Sequence, residues 1–570
     1  MPGCKLAVTE EGLQMSALGI PLALAGVILL GAGCGSKTER IGPTTTEGRL
    51  APLLENLGNL HREVTTTDEL AQRYFDQGLT LVYAFNHAEA ERSFREVARI
   101  DHDCAMAYWG QALAAGPNIN DYAPEAEREQ RAYEAVRRAL ALTARASEKE
   151  RAMIEALAAR FSPNGGDDRE QLNQAYMLAM AALHERYPDD PDIGVLYAGA
   201  IMNTTPWDYW LDDGSPKPGA EPVVPAIEAV LAAHPHHPGA NHFYIHAVEA
   251  SQHPERAEAA ADRLGGLVPA AGHLVHMPSH IYIRVGRYAD GFASNIRAIA
   301  ADEDYLTQCR SQGIYPAAYY PHNIHFLTAT LAMEGRGQEM IEAARKVAAA
   351  PDDAAFCEPG FGFPHLLRAQ PLFAMVRFGR WDDILVEPEM PADQVFAGAI
   401  QHYARGLAHL AQGDAAKAGQ ELMILEQTVK RAELGELKIW EENSLGELAT
   451  IARDVLAGEL AANLQNFDIA VRHLNNAIAI EDSLTYSEPP DWPIPVRQNL
   501  GAVLLEAGRP AEAEQVYRKD LERHRNNGWS LAGLANALAA QGKTTEAAAA
   551  RETLATVWRK ADTKITASRF

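Results

Sequence analysis

The chain has 570 residues, several times what one hydrophobic core organises, so it is either multi-domain or a repeat array that buries its core by stacking. It is Ala-rich and only 7% aromatic, with no period-2 runs of β-branched residues, which points to an all-helical protein. A formal net charge of −25 opposes binding to a phosphate backbone and excludes nucleic acid as the expected partner.

In chain order, the first element is an uncharged stretch from Gly12 to Ser36, containing ALGIPLALAGVILLGAGCGS, an apolar run that ends in small residues before Cys34. Such a run reads as an export signal. It resembles a bacterial lipoprotein signal, in which the Cys after the small residues is acylated and becomes the mature N-terminus. The resemblance implies a body outside the cytoplasm, facing the periplasm or exterior and held to the membrane through its N-terminus. An uncleaved N-terminal anchor is the alternative, and Met15 is an alternative start. Apart from Cys4 and Cys34 there remain Cys104, Cys309 and Cys357, without C-x-x-C spacing. These exclude a thiolate zinc site and a disulfide framework, and read as small buried apolar residues.

Residues 1–33 are thus the signal and 34–66, poor in periodic apolar positions, a tether and lead-in. From residue 67 a repeat takes over. NLGAVLLEAGRPAEAEQVYRKDLERHRNNGW is followed by GLANALAAQGKTTEAAAARETLATVW, with Gly508 and Gly542, and Ala513 and Ala547, each 34 residues apart. Near the front Ala90 and Phe94 fit the same unit, and in the middle so do Gly286, Tyr288 and Ala298. The pattern resembles the tetratricopeptide repeat (TPR). That resemblance implies an all-α solenoid of helical hairpins, a right-handed superhelix whose first helices line a concave groove. Helical repeats are expected over 67–233, a His-rich core over 234–350, a loop and helical connection over 351–394, and further repeats over 395–570. Two Pro, Gly and aromatic-rich stretches, 203–222 and 354–371, are expected as loop insertions.

Eleven of the 20 His fall between His234 and His325. His280, His276 and His273 stand six, ten and thirteen residues before Gly286; His325 and His322 stand ten and thirteen before Gly335. One repeat earlier, His246 and His242 stand six and ten before Gln252, which occupies the Gly place, with Glu249 three before it. At about 100° per residue these offsets fall within roughly 60° of one another, so seven imidazoles share one stripe of three successive first helices. The resemblance implies that this stripe faces the groove. Pairs at i,i+4 (His242/His246, His276/His280) and i,i+3 (His273/His276, His322/His325) suit a shared ion. Pro278, between His276 and His280, starts or kinks a helix there and leaves that pair's regular spacing open.

The expectation is a site for one or two transition metal ions held by His242, His246, His273, His276, His280, His322 and His325. Imidazoles without thiolates suit zinc, copper, nickel or iron. An anion or substrate-carboxylate site and a purely structural cluster remain as alternatives. Glu249 and Arg284, close to the stripe, are the catalytic candidates: Glu249 as ligand or general base on metal-bound water, or alternatively salt-bridged to Arg284. Trp207 and Tyr209, with Asn203 and Asp208, and the segment YYPHN leading into His322 are candidate walls. His234, His236 and His237 read as surface turn residues. The functional expectation is a metal-dependent protein, extending to an enzyme that hydrolyses or oxidises a small substrate. Its alternative is a non-catalytic scaffold of the cell envelope gripping a peptide or partner in the groove, the usual business of the repeat family.

Overall fold

The computed structural model describes residues 48–164, 168–211, 213–309, 318–351, 355–357 and 359–570. The signal-like segment 1–33, with Cys34, lies outside them. The protein is all-α: the described strands are the two-residue pair Lys438–Ile439 and Asn443–Ser444. The chain forms two compact units, one comprising 35–330 with 523–526 and the other 331–522 with 527–570.

The N-terminal unit begins with an extended segment that is held by the body from residue 48 onward. The Tyr74 hydroxyl donates to Ala51 O at 3.0 Å, and Arg62 Nη1 reaches Asp190 and Asp192 at 3.0 and 2.8 Å. Its first hairpin is Glu69–Tyr83 against His87–Ile100, started by Asp68, whose carboxylate accepts from Leu70 N and Ala71 N. That cap satisfies two of the donors a helix start leaves orphaned. Phe94, fully buried, explains the spacing of the repeat. Cβ atoms added to Gly78, on its own hairpin, and to Gly110, on the next helix Ala105–Ala115, would meet the Phe94 ring at 2.7 and 2.3 Å. In the C-terminal unit Tyr517 fills the equivalent notches of Gly501 and Gly533, at 2.3 and 2.2 Å. One aromatic side chain on the second helix therefore locks its own hairpin and the following one, and the period follows from that contact.

The turn between the two helices of a repeat needs a left-handed residue, and Gly286, Gly335, Gly508 and Gly542 all supply it with φ between 72° and 77°. In the first hairpin that place is taken by Phe85, at φ +57°.

The stretch 203–222 is a loop in its described residues, pinned by a bridge between Trp210 and Pro216. The second expected insertion differs: Phe363–Arg377 is a helix, with Pro364 in its first turn and Pro371 inside it. A proline in a helix's first turn costs no hydrogen bond, which proline content alone does not reveal. Cys104 is buried and free, and burial pushes its thiol up to about 11.

Candidate metal centre

Three helical segments carry the histidines. Pro238–Val248 opens with Pro238 at its first position and with the His237 Nδ1 accepting from Ala240 N at 3.1 Å. His237 is therefore a buried capping residue rather than a surface one, and its Nε2 lies 3.2 Å from Asp192 Oδ1. The second segment is Gly272–His276 continuing into Pro278–Val285. Pro278 breaks the hydrogen-bond ladder, yet Met277 between them keeps helical angles, φ −50° and ψ −35°. His276 and His280 consequently stay on one face. The third is Tyr320–Glu334, with His322 and His325.

Six imidazoles gather in two triads. In each, one nitrogen from every member lies within 4.8 Å of the others: His242, His246 and His273 in the first, His276, His280 and His322 in the second. His242 Nε2 is 3.1 Å from His273 Nε2, and His276 Nε2 is 2.9 Å from His280 Nε2, which is 3.4 Å from His322 Nε2. His325 is buried on the same helix as His322 but belongs to neither triad.

The opposite nitrogens are tied down. His242 Nδ1 meets Tyr83 O at 2.6 Å, His246 Nδ1 meets Glu249 Oε1 at 2.8 Å, and His280 Nδ1 meets Glu249 Oε2. His276 Nδ1 meets Asn295 Oδ1 at 2.6 Å; that amide is oriented by its own Nδ2, which donates to Gly291 O at 2.8 Å. Every one of these partners is an acceptor, so all four imidazoles carry their proton on Nδ1 and present a bare Nε2. His246 Nε2 is buried, with no hydrogen-bond partner among the described residues.

The chamber is closed rather than an open groove: the cluster's side chains are buried, His322 partly. Phe85 lies against His242, His246 and His273 with ring centroids at 4.6, 5.8 and 5.4 Å. Phe326 does the same for His276, His280 and His322 at 4.8, 4.5 and 5.2 Å. Trp207, from the 203–222 loop, stands edge-on to His246 at 4.9 Å, and Tyr319 stands edge-on to His273 at 4.9 Å. Burial pushes His242, His280 and His322 down to about 3 and His246 to about 4, and holds His273 and His276 well below the ordinary imidazole range. At neutral pH the cluster is a set of uncharged lone-pair donors.

Glu249 is fully buried and caps the C-terminal end of its helix, with its two oxygens serving one imidazole from each triad. Arg284 donates to the main-chain carbonyls of Glu249 and Ser251, fixing the turn that presents the carboxylate. The remaining wall candidates serve the loop: Asn203 Nδ2 donates to Gly199 O at 2.7 Å, closing the helix Pro191–Met202, and Asp208 pairs with Lys217 at the surface. Tyr209 is buried beside an apolar cavity of about 210 Å³ shared with Trp210, Val223 and Ala247.

Phe85, Phe326, Tyr83 and Asn295 were not singled out from the sequence. Phe85 had a signal, a bulky residue at the repeat's Gly place. Phe326 had another, four residues after His322 and so on its face.

No family model matches the chain, and no curated protein matches it. Among solved structures, a human IFIT1 dimer with m7Gppp-AAAA is 11% identical over 77% of this chain and 90% of that one, TM-score 0.33. Yeast Tom70 is 10% identical, covering 84% and 90%, TM-score 0.29. The P58(IPK) TPR domain is 12% identical, covering 67% and 88%, TM-score 0.20. Likeness of that degree speaks to neither ligand nor activity.

Proposed function

We propose that this all-α hairpin scaffold is a metal-binding protein whose buried histidine chamber holds transition metal. One observation carries the reading: His276 and His280 face each other through Nε2 atoms 2.9 Å apart while their Nδ1–H groups are committed to Asn295 and Glu249. Two lone pairs at that distance repel unless a cation stands with them, and burial disfavours the proton. A metal ion relieves the repulsion, and the Nδ1–H···O bonds are the outer partners that orient metal-ligating imidazoles. In the first triad His242 and His246 likewise commit Nδ1, to Tyr83 O and Glu249, and His242 Nε2 lies 3.1 Å from His273 Nε2. Glu249 then acts through the imidazoles, positioning them and raising their basicity.

The setting belongs to the same proposal: the lipoprotein-like signal ending at Cys34 would place the chamber outside the cytoplasm, tethered by its N-terminus. The alternative of a peptide-gripping scaffold has one observation of its own. In the C-terminal unit the chain's segment around Thr566–Ser568 lies against the hairpins, with Asn536 Nδ2 donating to Thr566 O at 2.8 Å and Ser568 fully buried.

The test is melting of untagged, chelator-treated protein with added Zn²⁺ or Cu²⁺. The reading expects stabilisation that is smaller in the variant His276→Ala/His280→Ala. Unchanged melting in the parent protein with either ion would favour the scaffold.

A further inference from the structure

We infer that the chamber binds two copper ions as a pair, one in each triad, taken up as Cu(I). The inference rests on the metal-binding reading above and deepens it.

The count follows from the geometry. A triangle of nitrogens with sides up to 4.8 Å has its centre at most about 2.8 Å from each corner. Shortening that to a metal–imidazole bond of about 2 Å needs side-chain shifts under about 1 Å. The ligand nitrogens fall into two separate groups of three, each within 4.8 Å internally and with no imidazole in common. Glu249 stands between the triads, holding His246 by one oxygen and His280 by the other, so each triad keeps its own outer support. Each also has its own apolar cover, Phe85 for the first and Phe326 for the second.

The identity follows from charge and coordination number. Two divalent ions would bring four positive charges into a buried, aromatic-walled space. Two monovalent ions bring half of that, and desolvating charge is the dominant cost of such a site. Three neutral imidazoles complete the shell of a three-coordinate Cu(I). Zinc held by three imidazoles takes a water as its fourth ligand, which the apolar cover of each triad disfavours, and magnesium or calcium wants oxygens.

The experiment is an anaerobic titration of the full, untagged chain with Cu(I) against a colorimetric chelator. The expected result is two equivalents per chain for the parent, one for His242→Ala/His273→Ala and one for His280→Ala/His322→Ala. A single equivalent abolished by both double variants would overturn the pair while leaving metal binding intact. No uptake by the parent of Cu(I), Cu²⁺ or Zn²⁺ would instead remove the underlying reading. X-ray absorption of the copper-loaded parent gives the same answer without variants: a three-coordinate Cu(I) edge with about three nitrogen scatterers is expected. Four-coordinate copper with oxygen ligands, or displacement of both equivalents by stoichiometric Zn²⁺, would overturn the assignment.

Discussion

Phe85 and Phe326 occupy matching positions in the chamber, each with its ring against all three imidazoles of one triad. They reach it by different routes. Phe326 is an ordinary helical residue, whereas Phe85 sits at φ +57°, where a side chain costs about 1–2 kcal/mol. Backbone strain of this kind is retained where the side chain is needed.

That strain gives a reversed ranking at position 85. Both Phe85→Ala and Phe85→Gly lose a buried aromatic ring, but glycine also relieves the left-handed conformation. The glycine variant should melt higher than the alanine variant, by a difference equivalent to about 1 kcal/mol. Paired thermal denaturation checks it. In an ordinary helical position the order would be the opposite.

Glycine notches give a contrast of signs. Gly110→Ala and Gly533→Ala would drive a Cβ to within 2.3 and 2.2 Å of the Phe94 and Tyr517 rings. Each should destabilise by about 1–3 kcal/mol despite alanine's better helix propensity. Gly419→Ala, in the helix Ala415–Thr428 with nothing near the added carbon, should instead stabilise by up to about 1 kcal/mol. Urea unfolding of the three variants reads both directions.

Asp491 predicts a pH dependence in the C-terminal unit. Burial raises its carboxyl to about 6, against the opposing hydrogen bonds from Asn443 Nδ2 at 2.7 Å and the Ser487 hydroxyl at 2.9 Å. A pKa raised in the folded state means stability that is present below about pH 4 and lost as pH rises through 6. The loss is on the order of 3 kcal/mol. Asp491→Asn cannot ionise, so its stability relative to the parent should rise between about pH 4 and 6 and stay level above. Melting curves at intervals of half a pH unit check this; a constant difference across the window would contradict it.

Glu249→Gln keeps the shape and removes the charge that supports His246 and His280. Metal affinity should fall by about 10–100-fold, with the helical circular dichroism unchanged. Competition with a chelator of known affinity measures it.

Much of this was legible in the sequence because it is local and periodic. The spacings Gly508/Gly542 and Ala513/Ala547 carry the hairpin repeat, and His offsets of six, ten and thirteen from the turn carry the shared stripe. What was not legible depends on contacts between distant residues. The Tyr83 carbonyl and His242 are 159 residues apart, and no period links them. Arg62, in a segment read as a tether, holds Asp192, which accepts from the Tyr83 hydroxyl at 2.7 Å and so fixes the strand of contacts leading to His242. Closure of the groove into a chamber comes from Phe85 and Trp207, each in a turn, and Tyr319, in the helical lead-in to Tyr320–Glu334. Even the Glu249–Arg284 pairing, expected through side chains, is made by Arg284 with the main chain.

The most direct test is the metal content of untagged protein, purified without chelator and measured by inductively coupled plasma mass spectrometry beside His276→Ala/His280→Ala. The account predicts close to stoichiometric or greater transition metal, chiefly copper, in the parent and at most half of it in the variant. Metal at background in both proteins, with the parent fully folded, would contradict it.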